Sequence, residues 1–596
     1  MQRRRVRSPI AALLAFAGAA HAQCDAQRLV SPVPGGDDNF GASVAIDGLT
    51  ALVGSPFAAG SIAADRGKVD VYSGVFGWLH QATLVPDNDQ QDMWFGRAVA
   101  LSGDWAIVGA PMYHSWNGGE GAAYLFKRQG NQWVQKSSLG AGPDGIGNDH
   151  AGSSVAIDGD YAIYGMPDAS PWSATWMGRA RVLVRVGDAW NDVAFFYGPQ
   201  HGVTGGNAGA SVDVRGSLFL MGAPGASVAG LPSAGVVCVT QAKTGDYWYP
   251  DAELQADDPQ EGARLGESAA LGNELIAAGA PDYDAPGVPD AGAVYIFTTD
   301  QFGVWHQSAQ LLPPAATPQA HFGQKVRIEG TRIIVTEPGT GRVYSYRKSQ
   351  LGTWLQEWRL HDPYDLGEGF GVGVDISGGK VLVGSPLGEV QSLTSAGWAH
   401  VFDLDAGSGA DRSAFAPAVT LGSHAGCTTM ATNDGDTTCG SSNSRPDVWY
   451  RFTAPCAGLF TFDTAGSDFD TVLSIHSSTL LSAGPTIACN DNVGGLLTYS
   501  RIQTTLLAGQ SYFIRISGNN QNGGAYMLNI GGCVGCYANC DASTASPILN
   551  VNDFTCFLNK YAAGDSYANC DGSTLLPVLN VNDFVCFQTK FAAGCP

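Results

Sequence analysis

Through the first two-thirds of the chain, apolar and polar positions alternate in short runs, and glycine breaks each run. A period of two places successive side chains on opposite faces of a strand. The runs also recur. Phe40-Gly41-Ala42-Ser43-Val44-Ala45 leads through Asp47-Gly48 to Val53-Gly54-Ser55-Pro56, and Phe95-Gly96 leads in the same way to Val108-Gly109-Ala110-Pro111. Five more copies open at Ala151-Gly152, Ala208-Gly209, Leu265-Gly266, Phe322-Gly323 and Phe370-Gly371, and close at Pro167, Pro224, Pro281, Pro338 and Pro386. Their starts are spaced by 55, 56, 57, 57, 57 and 48 residues. Each unit holds an alternating strand, a DG or GD turn, a second strand ending in Gly-x-Pro, a third such as Gly292 to Phe297, and a Trp-led fourth such as Trp305 to Leu312. Seven units of four strands predict a seven-bladed β-propeller.

The seventh unit ends at Asp403 without a fourth strand, and the N-terminus supplies one. Leu84 precedes Phe95 by 11 residues, and in Gln27-Arg28-Leu29-Val30-Ser31-Pro32 the Leu precedes Phe40 by the same 11, so the mature N-terminus is expected to complete blade seven and remove an open edge. The same register puts Cys24 and Cys238 on opposite sides of the ring, too far apart to pair. Strand direction alternates within a blade. The loops after Gly-x-Pro and the loops between blades therefore share one face, and the DG turns occupy the other.

These units resemble FG-GAP repeats, the blade motif of integrin α-subunit heads and many bacterial surface proteins. Calcium-binding members carry D-x-D-x-D-G between FG and GAP, whereas the turns here read Asp47-Gly48-Leu49, Gly103-Asp104-Trp105 and Asp158-Gly159-Asp160. Three convergent carboxylates are missing at each, so no metal is expected in the blades. Loops of varied chemistry on a rigid scaffold are where binding usually resides. The candidate ligand residues are accordingly Tyr113, His114 and Trp116, then Trp172 and Trp176, then Asp282, Tyr283 and Asp284. Integrin-like heads, which the blades resemble, bind on the face bearing these loops. The competing reading is that the aromatics only pack and order their loops.

Residues 406–419 are rich in Gly, Ala and Ser and read as a linker. Short alternating strands follow, among them Asp447 to Phe452, Gly458 to Phe462, Asp470 to Ile475, Tyr512 to Ile516 and Tyr526 to Ile530, a β-sandwich pattern over 420–532. The D-x-W-Y-R-F, D-T-V-L and Asn490-Asp491 marks resemble the bacterial pre-peptidase C-terminal (PPC) domain, a binding or spacer module. Some of its relatives bind calcium, which makes Asp468, Asp470 and Asp491 either a cation site or turn-capping carboxylates.

Residues 533–596 repeat almost verbatim at 30-residue spacing: Tyr537-Ala538-Asn539-Cys540-Asp541 returns as Tyr567-Ala568-Asn569-Cys570-Asp571, and Leu549 to Phe554 returns as Leu579 to Phe584. Each copy is an oxygen-rich loop followed by a short helix such as Phe554 to Tyr561, stopped at Gly564. Two loop-helix units resemble a GC-type dockerin, which implies calcium and a cohesin-like or surface partner. The ligand oxygens would come from Asn539, Asp541, Ser543, Asn550 and Asp553, and from Asn569, Asp571, Ser573, Asn580 and Asp583. Without metal, Asn580 as N-cap and Asp583 near the third helical position would satisfy the helix amides instead. One bridge within each unit, Cys540 to Cys556 and Cys570 to Cys586, suits the equal spacing, although spacing leaves connectivity open.

Composition narrows the class. Only 14% of residues are charged while 79 are Gly, which suits short strands and not long helices. Arg3, Arg4, Arg5 and Arg7, the apolar run Ile10 to Ala20 and the Ala20-His21-Ala22 site read as a signal peptide over 1–22, so the mature chain is expected to be secreted or held at the cell surface. Without those four Arg, 28 basic residues face 54 acidic ones, and a net charge of −26 disfavours nucleic acid and anionic lipid. No later stretch is apolar enough to insert in a membrane. Eleven of the 13 cysteines lie after residue 420, so packing holds the first part and disulfides staple the last.

No metal-protease, nucleophile-elbow or phosphate-loop motif occurs. The expected function is non-catalytic recognition or adhesion, with the propeller binding an extracellular protein or glycan and the tail docking to a partner. The alternative is a component of an extracellular polysaccharide-degrading enzyme, since a carboxylate pair in the propeller mouth needs only spatial proximity.

Overall fold

The computed structural model describes residues 27–593 apart from 61–64, 76, 89, 115–118, 142–146, 171–176, 200–205, 350, 363–368, 406–412, 429–430, 432, 434–436, 441–444, 479–482, 495–496, 520–522, 533–539, 541–549 and 571–577. The protein is mainly β, and its chain divides into a unit built on Asp25–Asp405 and a unit built on the residues after it.

The first unit is a β-propeller whose described strands form seven sheets, each with four strands paired antiparallel. Blade 1 runs Ser43–Asp47, Thr50–Ser55, Lys68–Ser73 and Leu79–Leu84. Every later blade opens on an inner strand: Ala98–Ser102, Val155–Asp158, Ser211–Arg215, Ser268–Leu271, Val326–Glu329 and Gly373–Ser377. Each inner strand touches the inner strands of the blades before and after it, and that of blade 7 touches that of blade 1, so the ring is closed. Side chains alternate between the two faces of each sheet, which bury clusters such as Leu52, Val71, Phe95 and Tyr124 between blades 1 and 2.

The repeat motif has a physical cause at the seams between blades. A Cβ added to the Gly of Gly-x-Pro would stand 2.2 Å from the carbonyl oxygen of the next blade's FG glycine at Gly54, 1.9 Å at Gly109, 2.0 Å at Gly165 and 1.9 Å at Gly222 and Gly279. At Gly384, facing Gly41 across the closing seam, the distance is 2.0 Å. Neighbouring backbones thus meet with no room for a side chain. Blade 6 departs from the motif, with Thr336 in place of this glycine, and Thr336 Oγ1 accepts from the Lys325 amide at 3.0 Å.

The last residue of an inner strand latches the next blade's hairpin turn. The Gly103 amide donates to Asp47 Oδ2 at 2.7 Å, Gly159 to Ser102 Oγ at 3.2 Å, Gly216 to Asp158 Oδ2 at 2.6 Å and Gly48 to Ser377 Oγ at 3.0 Å. Asp47 and Asp158 are therefore engaged by backbone amides.

Gln27–Leu29 is the outer strand of blade 7, antiparallel to Trp398–Asp403 with Gln27 opposite Val401 and Leu29 opposite Ala399. It continues directly into blade 1, where Tyr72 donates its hydroxyl to the Val30 carbonyl at 2.6 Å and Ser31 Oγ donates to Asp70 Oδ2 at 2.9 Å. Blade 4 differs from the Trp-led pattern. Tyr247–Trp248 adds in parallel to the edge of blade 3, and Ala252–Leu254 forms the outer strand of blade 4. Pro250 lies between them and has no amide to give a ladder, which divides the segment into two pieces.

In the second unit, sheets of five and four strands form a β-sandwich, whose first strand, Ala418–Val419, lies at the end of the stretch read as a linker. Ala418–Val419, Asp447–Thr453, Ser511–Gly518, Thr471–Ser478 and Ala483–Asn490 make one sheet, and Gly422–Cys427, Ala525–Gly532, Gly458–Asp463 and Arg501–Leu506 make the other. The D-x-W-Y-R-F motif builds its core: Asp447 Oδ2 takes the Arg515 guanidinium at 2.6 Å, its Oδ1 accepts from Trp449 Nε1 at 3.1 Å, and both charged side chains are fully buried. Cys439 bonds Cys489 across this unit. Two helices follow, α1 (Val551–Ala562) and α2 (Val581–Ala593). Each is stapled at its loop, by Cys540–Cys556 and Cys570–Cys586, and Phe557 stacks on Phe587 with centroids 4.1 Å apart.

Candidate functional site

The loop face carries a polar arc with a local cause. The residue before the FG glycine pair adopts a left-handed conformation in every blade, with φ of 54° at Asn39, 55° at Trp94, 53° at His150, 49° at Asn207, 61° at Arg264 and 54° at His321, and Gly369 at 76°. This turn reverses the chain from the inter-blade loop into the inner strand. The residue after Gly-x-Pro stands beside it. In blades 1 and 2 the pair is apolar, with Phe57 against Trp94 edge-on at 5.3 Å. Around Asp168 and Asp282, which follow Gly-x-Pro in blades 3 and 5, it is polar. His150 Nδ1 lies 2.5 Å from Asp168 Oδ2, and Asn207 Nδ2 donates to Asp168 Oδ1 at 3.2 Å. His321 Nδ1 lies 2.9 Å from Asp282 Oδ1, Arg264 Nη1 donates to Asp282 Oδ2 at 3.4 Å, and Arg264 Nη2 donates to Glu267 Oε2 at 2.6 Å.

The inner strands of the ring line an axial cavity of about 80 Å³ that is open to solvent. Most of its wall is small: Ala42, Ser43, Ser153, Ser154, Ala210, Ser211 and Ser268. Arg97, Lys325 and Arg327 line the same cavity. The protein packed around the axis holds the Arg97 guanidinium below its usual range, although the residue is reached by solvent, while Glu267 acts the other way. Burial also pushes the Lys325 ammonium down to about 8, helped by the like charges of Arg97 and Arg327 and opposed by Glu267. Deeper, toward the hairpin face, Asp213 and Asp375 line a second cavity. Burial raises both carboxyls, Asp375 to about 6, although the Leu271 and Ile46 amides donate to them at 2.7 and 2.8 Å.

The residues expected from the loops divide. Asp282 joins the polar arc. Tyr283 is buried and donates its hydroxyl to Asp258 at 3.1 Å, so it orders its loop and presents no aromatic face. Asp284 accepts from the Asp290 amide at 2.9 Å and also closes that loop. Tyr113 packs edge-on against Tyr124 at 6.4 Å, and His114 Nδ1 accepts from the Gly119 amide at 2.5 Å. Trp116, Trp172 and Trp176 lie outside the described residues.

In the C-terminal tandem, Asn550 Oδ1 accepts from the Asn552 amide at 2.8 Å and Asp553 Oδ2 from the Asn550 amide at 2.9 Å, a capping box. Asn580 and Asp583 repeat it, both at 2.8 Å, and Asp553 and Asp583 are fully buried. Asn569 is among the described residues, whereas Asn539, Asp541, Ser543, Asp571 and Ser573 are outside them. In the sandwich, Asp470 and Asp491 share the Asn519 amide group, with 3.2 Å to each. Among the described residues no three His, Cys, Asp or Glu side chains gather as a metal site.

A family model described as the FG-GAP repeat matches residues 78–126. No curated protein matches the chain. Among solved structures, a streptogramin B lyase is 9% identical over 63% of this chain and 97% of its own, with a TM-score of 0.40. A periplasmic gluconolactonase from Pseudomonas aeruginosa is 14% identical over 58% and 94%, with a TM-score of 0.36. The pre-peptidase C-terminal domain of a collagenase from Bacillus anthracis is 14% identical over 20% and 94%, with a TM-score of 0.14.

Proposed function

We propose that this chain is an exported, non-catalytic recognition protein whose seven-bladed propeller binds an extracellular protein or glycan on its loop face, while the dockerin-like C-terminal tandem attaches it to a cohesin-like or cell-surface partner. The observation that carries the reading is the polar arc of His150, Asp168, Asn207, Arg264, Asp282 and His321 around the mouth of the ring. It is held in place by the repeat's own turn and by mutual hydrogen bonds, so its polar groups are preorganised for a ligand. Calcium in the C-terminal tandem belongs to the same proposal. A bound ion there would draw on loop oxygens beyond the two capping boxes.

Binding of the mature full-length chain to glycan and matrix-protein arrays tests the reading. A hit should weaken at least tenfold in Asp282→Ala or Asp168→Ala with little change in melting temperature. Arrays without a hit, or hits indifferent to both substitutions, would remove the loop face as the binding surface. One feature favours the enzyme alternative: two His–Asp contacts, His150–Asp168 and His321–Asp282, stand at the mouth in the arrangement that orients an imidazole for proton transfer. Chemical turnover of any array ligand, lost in His150→Gln or His321→Gln, would establish it.

A further inference from the structure

Seven inner strands surround the axial cavity, and most contribute only Ala, Ser, Val or Gly to it. Arg97 and Lys325 break the pattern. Their backbone amides are bonded, but neither side chain has an ion-pair or hydrogen-bond partner among the described residues, although each can donate several hydrogen bonds. The anionic groups nearby are otherwise engaged. Glu267 is bonded to Arg264, and Asp375 accepts from the Ile46 amide with Arg327 Nε 3.5 Å away. The lining hydroxyls are no substitute, because Ser43, Ser154 and Ser211 donate to the carbonyls of Gly96, Gly209 and Gly266 in the following blades.

Arg97 and Lys325 therefore share one solvent-reached axial cavity with Arg327 and with Glu267 as the nearby anion, in a chain that carries a large excess of acidic residues. Like charges gathered at one cavity repel, a cost that a bound counter-ion removes. A cleft with low-dielectric walls also focuses its field on ions of the opposite sign. The cavity has room for several water molecules, hence for one compact oxyanion in their place.

We propose that the axial cavity of the propeller is an oxyanion site, in which Arg97 and Lys325 together hold one sulfate, phosphate or carboxylate group, either as a free ion or as the charged end of a larger ligand. The inference rests on the recognition reading only for the second of these sources. The charged groups facing Lys325 are Arg97 from the start of blade 2, Glu267 from blade 5 and Arg327 from its own strand, with Asp213 and Asp375 deeper in the ring. Burial of Lys325, with the repulsion of Arg97 and Arg327, outweighs the opposing Glu267, so the ammonium loses its proton at lower pH than an exposed lysine. A bound oxyanion reverses that loss, and affinity falls as pH rises from 7 to 9.

The test is calorimetric titration of the mature full-length chain with sodium sulfate, with chloride adjusted to constant ionic strength, and with sodium acetate in a parallel arm. One saturable site is expected, weakened at least tenfold in Lys325→Met and in Arg97→Gln. Lys325→Arg should retain binding within about threefold and lose the decline between pH 7 and 9. Should Lys325→Met not fold, Lys325→Arg and the wild-type pH profile still decide. Saturable binding unaffected by either substitution, or none below 10-fold excess over chloride, overturns the site. Sulfate binding alongside empty arrays keeps the oxyanion site as one for free ions and removes the recognition reading. Array hits that free sulfate displaces, and that weaken in Lys325→Met, identify the anion as the end of the larger ligand.

Discussion

Alanine at position 109 tests whether the repeat's glycine answers to the seam between blades or to its own backbone conformation. The new Cβ would lie 1.9 Å from Gly152 O and 2.9 Å from its carbonyl carbon. An ordinary carbon–oxygen contact is more than an ångström longer, and the neighbour here is backbone within a closed ring, which has no flexible side chain to yield. Overpacking of this kind costs about 3 kcal/mol or more. The unit spans Asp25–Asp405, so at about 2.1 cal/mol/K per residue its unfolding entropy is near 0.8 kcal/mol/K, and the melting temperature should fall by roughly 4 °C. Gly103→Ala is the control. Its φ is 57° and nothing stands within 4 Å of its new Cβ, so it carries conformational strain of about 1 kcal/mol without a clash. Scanning calorimetry of both variants separates the two causes. If Gly109→Ala melts within 1 °C of Gly103→Ala, close approach between blades is not what requires glycine in Gly-x-Pro.

Three further outcomes are expected. Burial and the neighbouring Arg28 guanidinium push the His400 imidazole down to about 3; its folded value lies below the unfolded one near 6.5, so the stability it confers is complete above pH 6.5 and declines by about 1.4 kcal/mol per unit as pH falls toward 3. Urea midpoints at pH 7, 5.5 and 4.5 should show that decline and lose part of it in His400→Gln. Asp447→Ala leaves Arg515 charged and fully buried in the sandwich, at a cost of about 3–5 kcal/mol, visible as early loss of the Trp449 fluorescence signal on heating. Asp583→Asn weakens the α2 capping box by about 1 kcal/mol, read as faster exchange of amides 581–584; millimolar calcium should slow exchange throughout the wild-type tandem, and unchanged protection there would leave helix capping as the only role for these residues.

The parts legible in the sequence were those that seven repeats state over again. Each Gly-x-Pro marks the same close approach, and the shared 11-residue step from Leu29 to Phe40 and from Leu84 to Phe95 disclosed which strand completes blade 7. The axial cations escaped notice because they are exceptions. Arg97 occupies the position that holds Ala42, Ser153 and Ala210 elsewhere, and Lys325 the position of Ser43, Ser154 and Ser211. Comparing the seven inner strands position by position carries that signal, whereas a search for catalytic motifs does not. Loop aromatics were harder still, since exposure depends on a distant partner. Tyr283 is consumed by Asp258, 25 residues earlier, and no local pattern announces that bond. The capping box of α2 was visible because cap and helix are adjacent in the chain. The Cys439–Cys489 bridge joins segments whose proximity only the sandwich creates.

The pairing of Gln27 with Val401 sets a timetable for the molecule. Bringing together positions 374 residues apart (Gln27 to Val401) costs about 5 kcal/mol of loop entropy, against very little for the two-residue hairpins inside a blade. At ribosomal speeds of about 5–20 residues per second, the first strand waits roughly 20 to 75 s for its partner to be made. Six blades can assemble in that interval while Leu29 stays unmatched, and the ring becomes a single cooperative body only when its earliest and latest segments meet.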